Sequence, residues 1–143
     1  MAVALAEARA AGERGEVPIG AVLVRADVEI ARAGNASVAQ HDPTAHAEVL
    51  ALRTGGAAER NYRLPGTTLY ATVEPCAMCI GAALHARVTR LVYGCADPKA
   101  GAAGTLFDLA VDPRLNHRIA VCAGVEAEAA RALLQAFFRA RRA

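Results

Sequence analysis

Two short motifs hold the residue types that can do chemistry: His46-Ala47-Glu48 and Pro75-Cys76-Ala77-Met78-Cys79. Zinc takes imidazole nitrogen and thiolate sulfur in a tetrahedron. Structural sites close with four protein ligands, whereas catalytic sites keep three and leave the fourth position open. His46, Cys76 and Cys79 make a set of three, the open kind. Cys76 and Cys79 are three residues apart and so face one way on a helical turn. The N-terminal end of a helix favours thiolate over thiol. Glu48 stands two beyond His46 and points to another side, so it is poorly placed as a fourth ligand. From a first turn it can still reach the space above the metal. Zinc lowers the pKa of its water to about 7 and so yields a hydroxide nucleophile near neutral pH. A neighbouring carboxylate can take that proton and return it to a ring nitrogen and then to a departing amine. Attack of this kind on an amidine-like carbon, with loss of ammonia, is hydrolytic deamination.

Each motif alone has plainer readings. A lone histidine is usually a surface or core residue, and a lone Cys-x-x-Cys can be a redox pair or half of a structural zinc site. Their joint occurrence, in this order and with Glu48 and Pro75 in place, is far more specific. Cys95 and Cys122 lie among apolar residues and read as small buried hydrophobes. His41, His85 and His117 have no such company. Glu74 reads as a structural carboxylate closing a strand.

The elements that must position these groups follow from periodicity and from turn and cap residues. Residues 2–14 read as an amphipathic helix with Val3, Leu5 and Ala10 on its apolar side and no cap at Met1. Ala21–Val24 is a buried strand, and Arg25-Ala26-Asp27 turns the chain into a returning strand, Val28–Ala33. A loop runs from Gly34 to Pro43. Thr44 caps a helix that begins near Ala45 and ends at Gly55-Gly56. Thr67–Val73 is a β-branched and aromatic strand. Pro75, at a first helical position, opens a helix to about Ala86. Val88–Cys95 and Ile119–Ala123 are strands, joined through a long connection with a short helical piece at 105–109. Glu126–Arg142 is a final helix, acidic first and basic last, as the helix dipole prefers. Strands alternating with helices after an initial hairpin predict one α/β domain over residues 1–143. Its sheet is mixed, five-stranded and parallel in its second half, with helices on both faces.

The chain has 143 residues, 55% of them hydrophobic, enough for one domain with a sizeable core. No apolar run is long enough to span a bilayer. Glu7 and Arg9 interrupt any signal-like segment, so a cytoplasmic location is expected. The net charge of +2 does not mark a nucleic-acid binder. The basic residues are almost all arginines, Lys99 being the only lysine. Codon usage is the plain reason for that bias, yet arginine also suits planar phosphate and base contacts. Arg139, Arg141 and Arg142 crowd the C-terminus.

The His-x-Glu and Pro-Cys-x-x-Cys pair is the general signature of the zinc nucleobase deaminases, including a glutamate that is not a ligand. Further stretches narrow the likeness: Asp42–Glu48, Asn61-Tyr62-Arg63-Leu64, Glu74–Cys79, Gly101–Gly104 and Phe137–Arg142. Over nearly its whole length the chain resembles the bacterial tRNA-specific adenosine deaminases of the cytidine/deoxycytidylate deaminase superfamily. That resemblance implies a three-layer α/β/α, cytidine deaminase-like fold. It also implies one zinc ion per subunit, a homodimer, and conversion of adenosine to inosine at the wobble position of a tRNA anticodon, usually that of an arginine tRNA. By matching position, Asn35 contacts the target base, Glu48 is the proton shuttle and Asp97 lies near the flanking ribose. Phe138 and Arg141 fall where the last helix meets the anticodon loop.

An RNA role also suits the chemistry. An adenine must leave its stack to reach a buried metal, and a single-stranded loop makes that inexpensive. Phe138 can stack on a base, and Arg141 and Arg142 can neutralise phosphates. Against this, Leu133, Leu134, Phe137 and Phe138 follow helical spacing and read largely as core, and the helix dipole alone accounts for the arginines. The chain departs from the pattern at Ser37-Val38 and at Gln40-His41, where a basic residue is frequent, and its N-terminus is shorter than usual. Two other functions share the motifs: a deaminase of free guanine, cytosine or a nucleoside, and a non-catalytic zinc protein that binds RNA or a partner. The arginine-rich tail argues against the first and Glu48 against the second.

Overall fold

The computed structural model describes residues 1–142. The chain runs as α1 (Ala2–Glu13), β1 (Gly20–Arg25), β2 (Val28–Gly34), α2 (Ser37–Gln40), α3 (Ala47–Glu59), β3 (Thr67–Val73), α4 (Ala77–His85), β4 (Arg90–Cys95), a 3-10 turn (Leu109–Val111), β5 (Ala120–Cys122) and α5 (Ala127–Arg142). The strands form one sheet in the order β2-β1-β3-β4-β5. β1 pairs antiparallel with β2 and β3, whereas β3–β4 and β4–β5 are parallel. The mixed sheet with a parallel second half is as expected. α1 and α5 touch each other on one face of the sheet, and α3 and α4 touch each other on the other, which completes three layers.

The hairpin turns at Ala26 and Asp27, both with positive φ (48° and 62°). This is the twist a two-residue hairpin needs. On the α3/α4 side, Ala21, Leu23, Leu69, Ala71, Leu91 and Ile80 are fully or almost fully buried. A smaller cluster on the other side joins Leu5, Val73, Cys95 and Ala130, with Leu133 and Leu134 packed against it.

Four elements differ from the sequence reading. α1 buries Ala4, Leu5, Ala8 and Ala11, while Val3 is exposed. The reason is close approach: a Cβ on Gly20 would strike the Ala4 carbonyl and stand 2.6 Å from the Ala8 nitrogen. Only small side chains let a helix lie that near a strand. α3 does not stop at Gly55-Gly56 but continues to Glu59 and ends at Arg60 in the left-handed conformation. Gly55 serves packing instead, since a Cβ there would sit 2.5 Å from Leu23 Cδ2. The 34–43 segment contains the single turn α2, held by the Glu16 carboxylate, which accepts from Val38 N and Ala39 N at 3.1 and 2.8 Å. That partner lies 22 residues away in sequence, so no local signal announces it. The short helical piece falls at Leu109–Val111 rather than at 105–109. Cys95 is buried as expected, and Cys122, on the sheet edge, is partly so.

Candidate functional site

Both motifs sit at helix starts, and each helix begins two residues later than the sequence suggests, at Ala47 and Ala77. His46 is the N-cap of α3 and Cys76 the N-cap of α4, each with extended backbone. Thr44 caps nothing. Its N–H and hydroxyl both donate to Asp42 Oδ1, at 2.8 and 2.7 Å, closing a tight local turn that delivers His46. Pro75 precedes the cap rather than opening the helix. The two helix N-termini converge, and their dipoles favour negative charge between them.

His46 Nδ1, Cys76 Sγ and Cys79 Sγ form a compact triangle. The sulfurs are 3.7 Å apart, and Nδ1 lies 3.7 Å from Cys76 and 3.5 Å from Cys79. A tetrahedral zinc with Zn–S near 2.3 Å and Zn–N near 2.0 Å requires edges of about 3.8 Å between sulfurs and about 3.5 Å between sulfur and nitrogen. The three observed edges match those lengths. These are the only three His, Cys, Asp or Glu side chains, among the described residues, that cluster closely enough to hold an ion. Three protein ligands leave one tetrahedral position open.

Charge in this cluster is tightly shared. The Cys79 thiol beside Cys76, then His46, pulls Cys76 down to about 4. Cys79, beside that anion and well buried, is pushed up. The contact with Cys76 raises His46. Glu48 is only 4% exposed, and burial raises its pKa above the ordinary carboxylate range. Its Oε2 is a buried side-chain oxygen with no hydrogen-bond partner. Buried polar atoms are nearly always satisfied, so an orphan beside a metal-ligand triangle implies a partner that arrives with the metal or the substrate. The donor set, the edge lengths and this oxygen all fit zinc.

Residues 1–95 match the cytidine and deoxycytidylate deaminase zinc-binding region. The chain belongs to that deaminase family. It is a zinc-dependent hydrolytic deaminase, with His46, Cys76 and Cys79 as its possible zinc site. A tRNA-specific adenosine deaminase of Haemophilus influenzae is 49% identical over 143 residues, which is 99% of this chain and 83% of that protein. A solved structure from work on A-to-I editing by tRNA:A34 deaminases at the wobble position superposes with a TM-score of 0.91. It is 46% identical, over 94% of this chain and 97% of its own. A guanine deaminase from Nitrosomonas europaea is more distant, with a TM-score of 0.79 and 29% identity over 95% of this chain and 81% of its own.

The remaining predicted residues of this deaminase do not all gather in one place. Asn35 is buried, and its Oδ1 accepts from Ala47 N at 2.8 Å, in the first turn of α3. No partner is found for its amide nitrogen among the described residues. Asp97 follows β4. Its Oδ1 accepts from Lys99 N and Ala100 N at 2.9 and 3.3 Å. Asp97 and Phe138 line one cavity of about 590 Å³, with Val73 and Cys95 on its floor and Lys99, Arg131, Arg139 and Arg142 at its rim. Arg141 does not join them. It caps the Phe137 ring at 4.2 Å and donates to the Gly15 carbonyl at 2.5 Å. Among these rim cations, Arg131 carries no signal in the basic C-terminal run that marks Arg139 and Arg142. Arg131, Gln135 and Phe138 stand at i, i+4 and i+7 on α5, a spacing that presents one face and could have revealed Arg131.

Proposed function

We propose that this chain deaminates adenosine to inosine at the wobble position of a tRNA anticodon, with an arginine tRNA as its first substrate to test. The carrying observation is the 49% identity, over almost the full chain, to a protein named a tRNA-specific adenosine deaminase, and the likeness to a structure from work on wobble-position editing supports the position. Adenosine and water give inosine and ammonia. Zinc, when bound, acts as a Lewis acid that makes water a nucleophile near neutral pH. Glu48 accepts the proton from that water on its otherwise unpartnered Oε2. It then delivers the proton to the ring nitrogen and next to the leaving amine. Its unpartnered Oε2, buried in the first turn of α3 beside the triangle, places Glu48 for both tasks. Asn35, its oxygen fixed by Ala47 N–H, holds its amide nitrogen free to donate to the base.

The cavity beside α5 takes the flanking nucleotide. Its apolar floor and Phe138, 44% exposed, offer a base a stacking surface. Asp97 at its wall faces a ribose, and the arginines at its rim face phosphates. Arg141 contributes by bracing the end of α5 against Gly15. The active form is a homodimer. A groove between α3 and α4, lined by Leu52, Arg60, Tyr62 and His85, supports this, as does Tyr62, which is 74% exposed. Among the described residues no helix is long and apolar enough to cross a membrane, and the tRNA substrate agrees with work in the cytoplasm.

The test is inosine formation on a zinc-loaded preparation with a synthetic anticodon stem-loop. Conversion of the wobble adenosine alone is expected. An untouched stem-loop together with rapid turnover of free guanine would replace this reading with the small-molecule one.

A further inference from the structure

Glu74 closes β3 and stands just before the Pro75-Cys76 step, and it touches neither the metal triangle nor the α5 cavity. It is nevertheless 2% exposed, a carboxylate buried among backbone groups. Its Oε1 accepts from Ala103 N and Thr105 N, both at 3.0 Å. Its Oε2 accepts from Asp97 N at 3.1 Å and from the Thr105 hydroxyl. A carboxylate offers about four lone-pair positions, and here all four are filled from one loop, residues 97–105.

The same loop is docked on the metal side. Gly101 bridges Cys76 in antiparallel fashion, and Ala102 N donates to the Pro75 carbonyl at 2.9 Å. Space is exhausted where the two meet. A Cβ on Gly101 would collide with the Glu74 carboxylate and stand 2.6 Å from the Asp97 carbonyl oxygen. One side chain therefore fixes the distance between the backbone that carries Cys76 and the backbone that carries Asp97 and Lys99.

We infer that Glu74 is a positioning residue: it sets the 97–105 loop, and with it the Asp97 wall of the α5 cavity, in register with the metal site. The functional half of this inference rests on the RNA reading above, whereas the structural half does not. Uncharged glutamine would turn an NH₂ toward two of the four donors, so bonds are lost and like groups confront each other. Bonds to a charged acceptor are the strong ones, and losing them while leaving buried N–H groups unpaired is costly.

The experiment uses zinc-loaded protein with two readouts, amide hydrogen exchange across 97–105 and steady-state kinetics on the anticodon stem-loop. For Glu74→Gln, faster exchange at Asp97, Ala103 and Thr105 is expected with full zinc content. KM for RNA should rise about tenfold or more, with kcat much less changed. Gly101→Ala, which displaces the carboxylate from the other side, should give the same pattern. Thr105→Ser keeps the hydroxyl and should keep the wild-type exchange, while Thr105→Val should show a milder form of the defect. Wild-type exchange in Glu74→Gln overturns the inference. So does a lower melting temperature with an unchanged KM. If Glu74→Gln fails to fold, Gly101→Ala and Thr105→Val decide between the same outcomes. A wild-type enzyme that ignores RNA defeats the substrate reading, and exchange then decides the loop on its own.

Discussion

Replacing Glu48 by glutamine should stabilise this protein and silence it together. The side chain is 4% exposed in the first turn of α3, and its Oε2 has no partner. A buried polar atom left unsatisfied costs about 1–3 kcal/mol, at the upper end when it is charged. Glutamine keeps the volume and removes the charge. Its amide still leaves a polar atom there, so only the charged part of the cost, about 1–2 kcal/mol, is relieved, which at about 2.1 cal/mol/K of unfolding entropy per residue raises Tm by about 3–7 °C for a chain of this size. Loss of a positioned proton-transfer group lowers the chemical step by about 10²–10⁴. Calorimetry on zinc-free protein and single-turnover deamination on zinc-loaded protein read the two effects. A zinc-free variant that melts lower than zinc-free wild type would mean that Glu48 holds the fold. Retained turnover would mean that another group carries the proton. Either result refutes the assignment.

Other expectations concern the metal, the tail and the frame. Cys79→Ser should lose zinc as measured by metal analysis, because the serine hydroxyl is a poor substitute for thiolate. Arg139→Ala and Arg142→Ala should each flatten the salt dependence of RNA affinity by about 0.7 in log–log slope, the value for one single-strand phosphate contact. A slope unchanged in both would remove the α5 rim from the RNA path. Gly20→Ala should destabilise by about 1–3 kcal/mol or more, because the colliding atoms belong to the α1 backbone and cannot swing aside. Denaturant titration measures it. Asp42 is held below the usual carboxylate range by the Thr44 hydroxyl and then the Thr44 N–H. Its contribution is therefore present above its unfolded pKa of about 3.9 and is lost as pH falls through its lower folded value. Asp42→Asn should lag wild type in Tm at neutral pH and converge with it in strong acid.

The site was legible from sequence where chemistry is local. His46, Cys76 and Cys79 declare themselves by residue type and spacing, and the structure brings them together. The hairpin, the parallel half of the sheet and α5 were legible for the same reason, since periodicity and turn residues act within a few positions. What escaped was set by contacts remote in sequence. Gly55 reads as a stop signal, yet it is the place where Leu23 meets α3. Glu16 holds α2 from 22 residues away. Thr44 looks like a cap, but Asp42 takes both its donors first. Arg141 and Arg142 are neighbours in a basic tail, and only the helical phase on α5 sends one to Gly15 and the other to the cavity. Glu74 reads as the end of a strand because its four partners lie 23 to 31 residues further on.

Whether this zinc site acts on adenosine within an anticodon loop can be read from a ratio of kcat/KM values. One zinc-loaded preparation would be assayed on a stem-loop with adenosine at the wobble position, and on free adenosine, cytidine and guanine. Inosine is expected from the stem-loop, with the free compounds slower by orders of magnitude because they cannot use the α5 cavity. Faster turnover of a free base or nucleoside than of the stem-loop would contradict it.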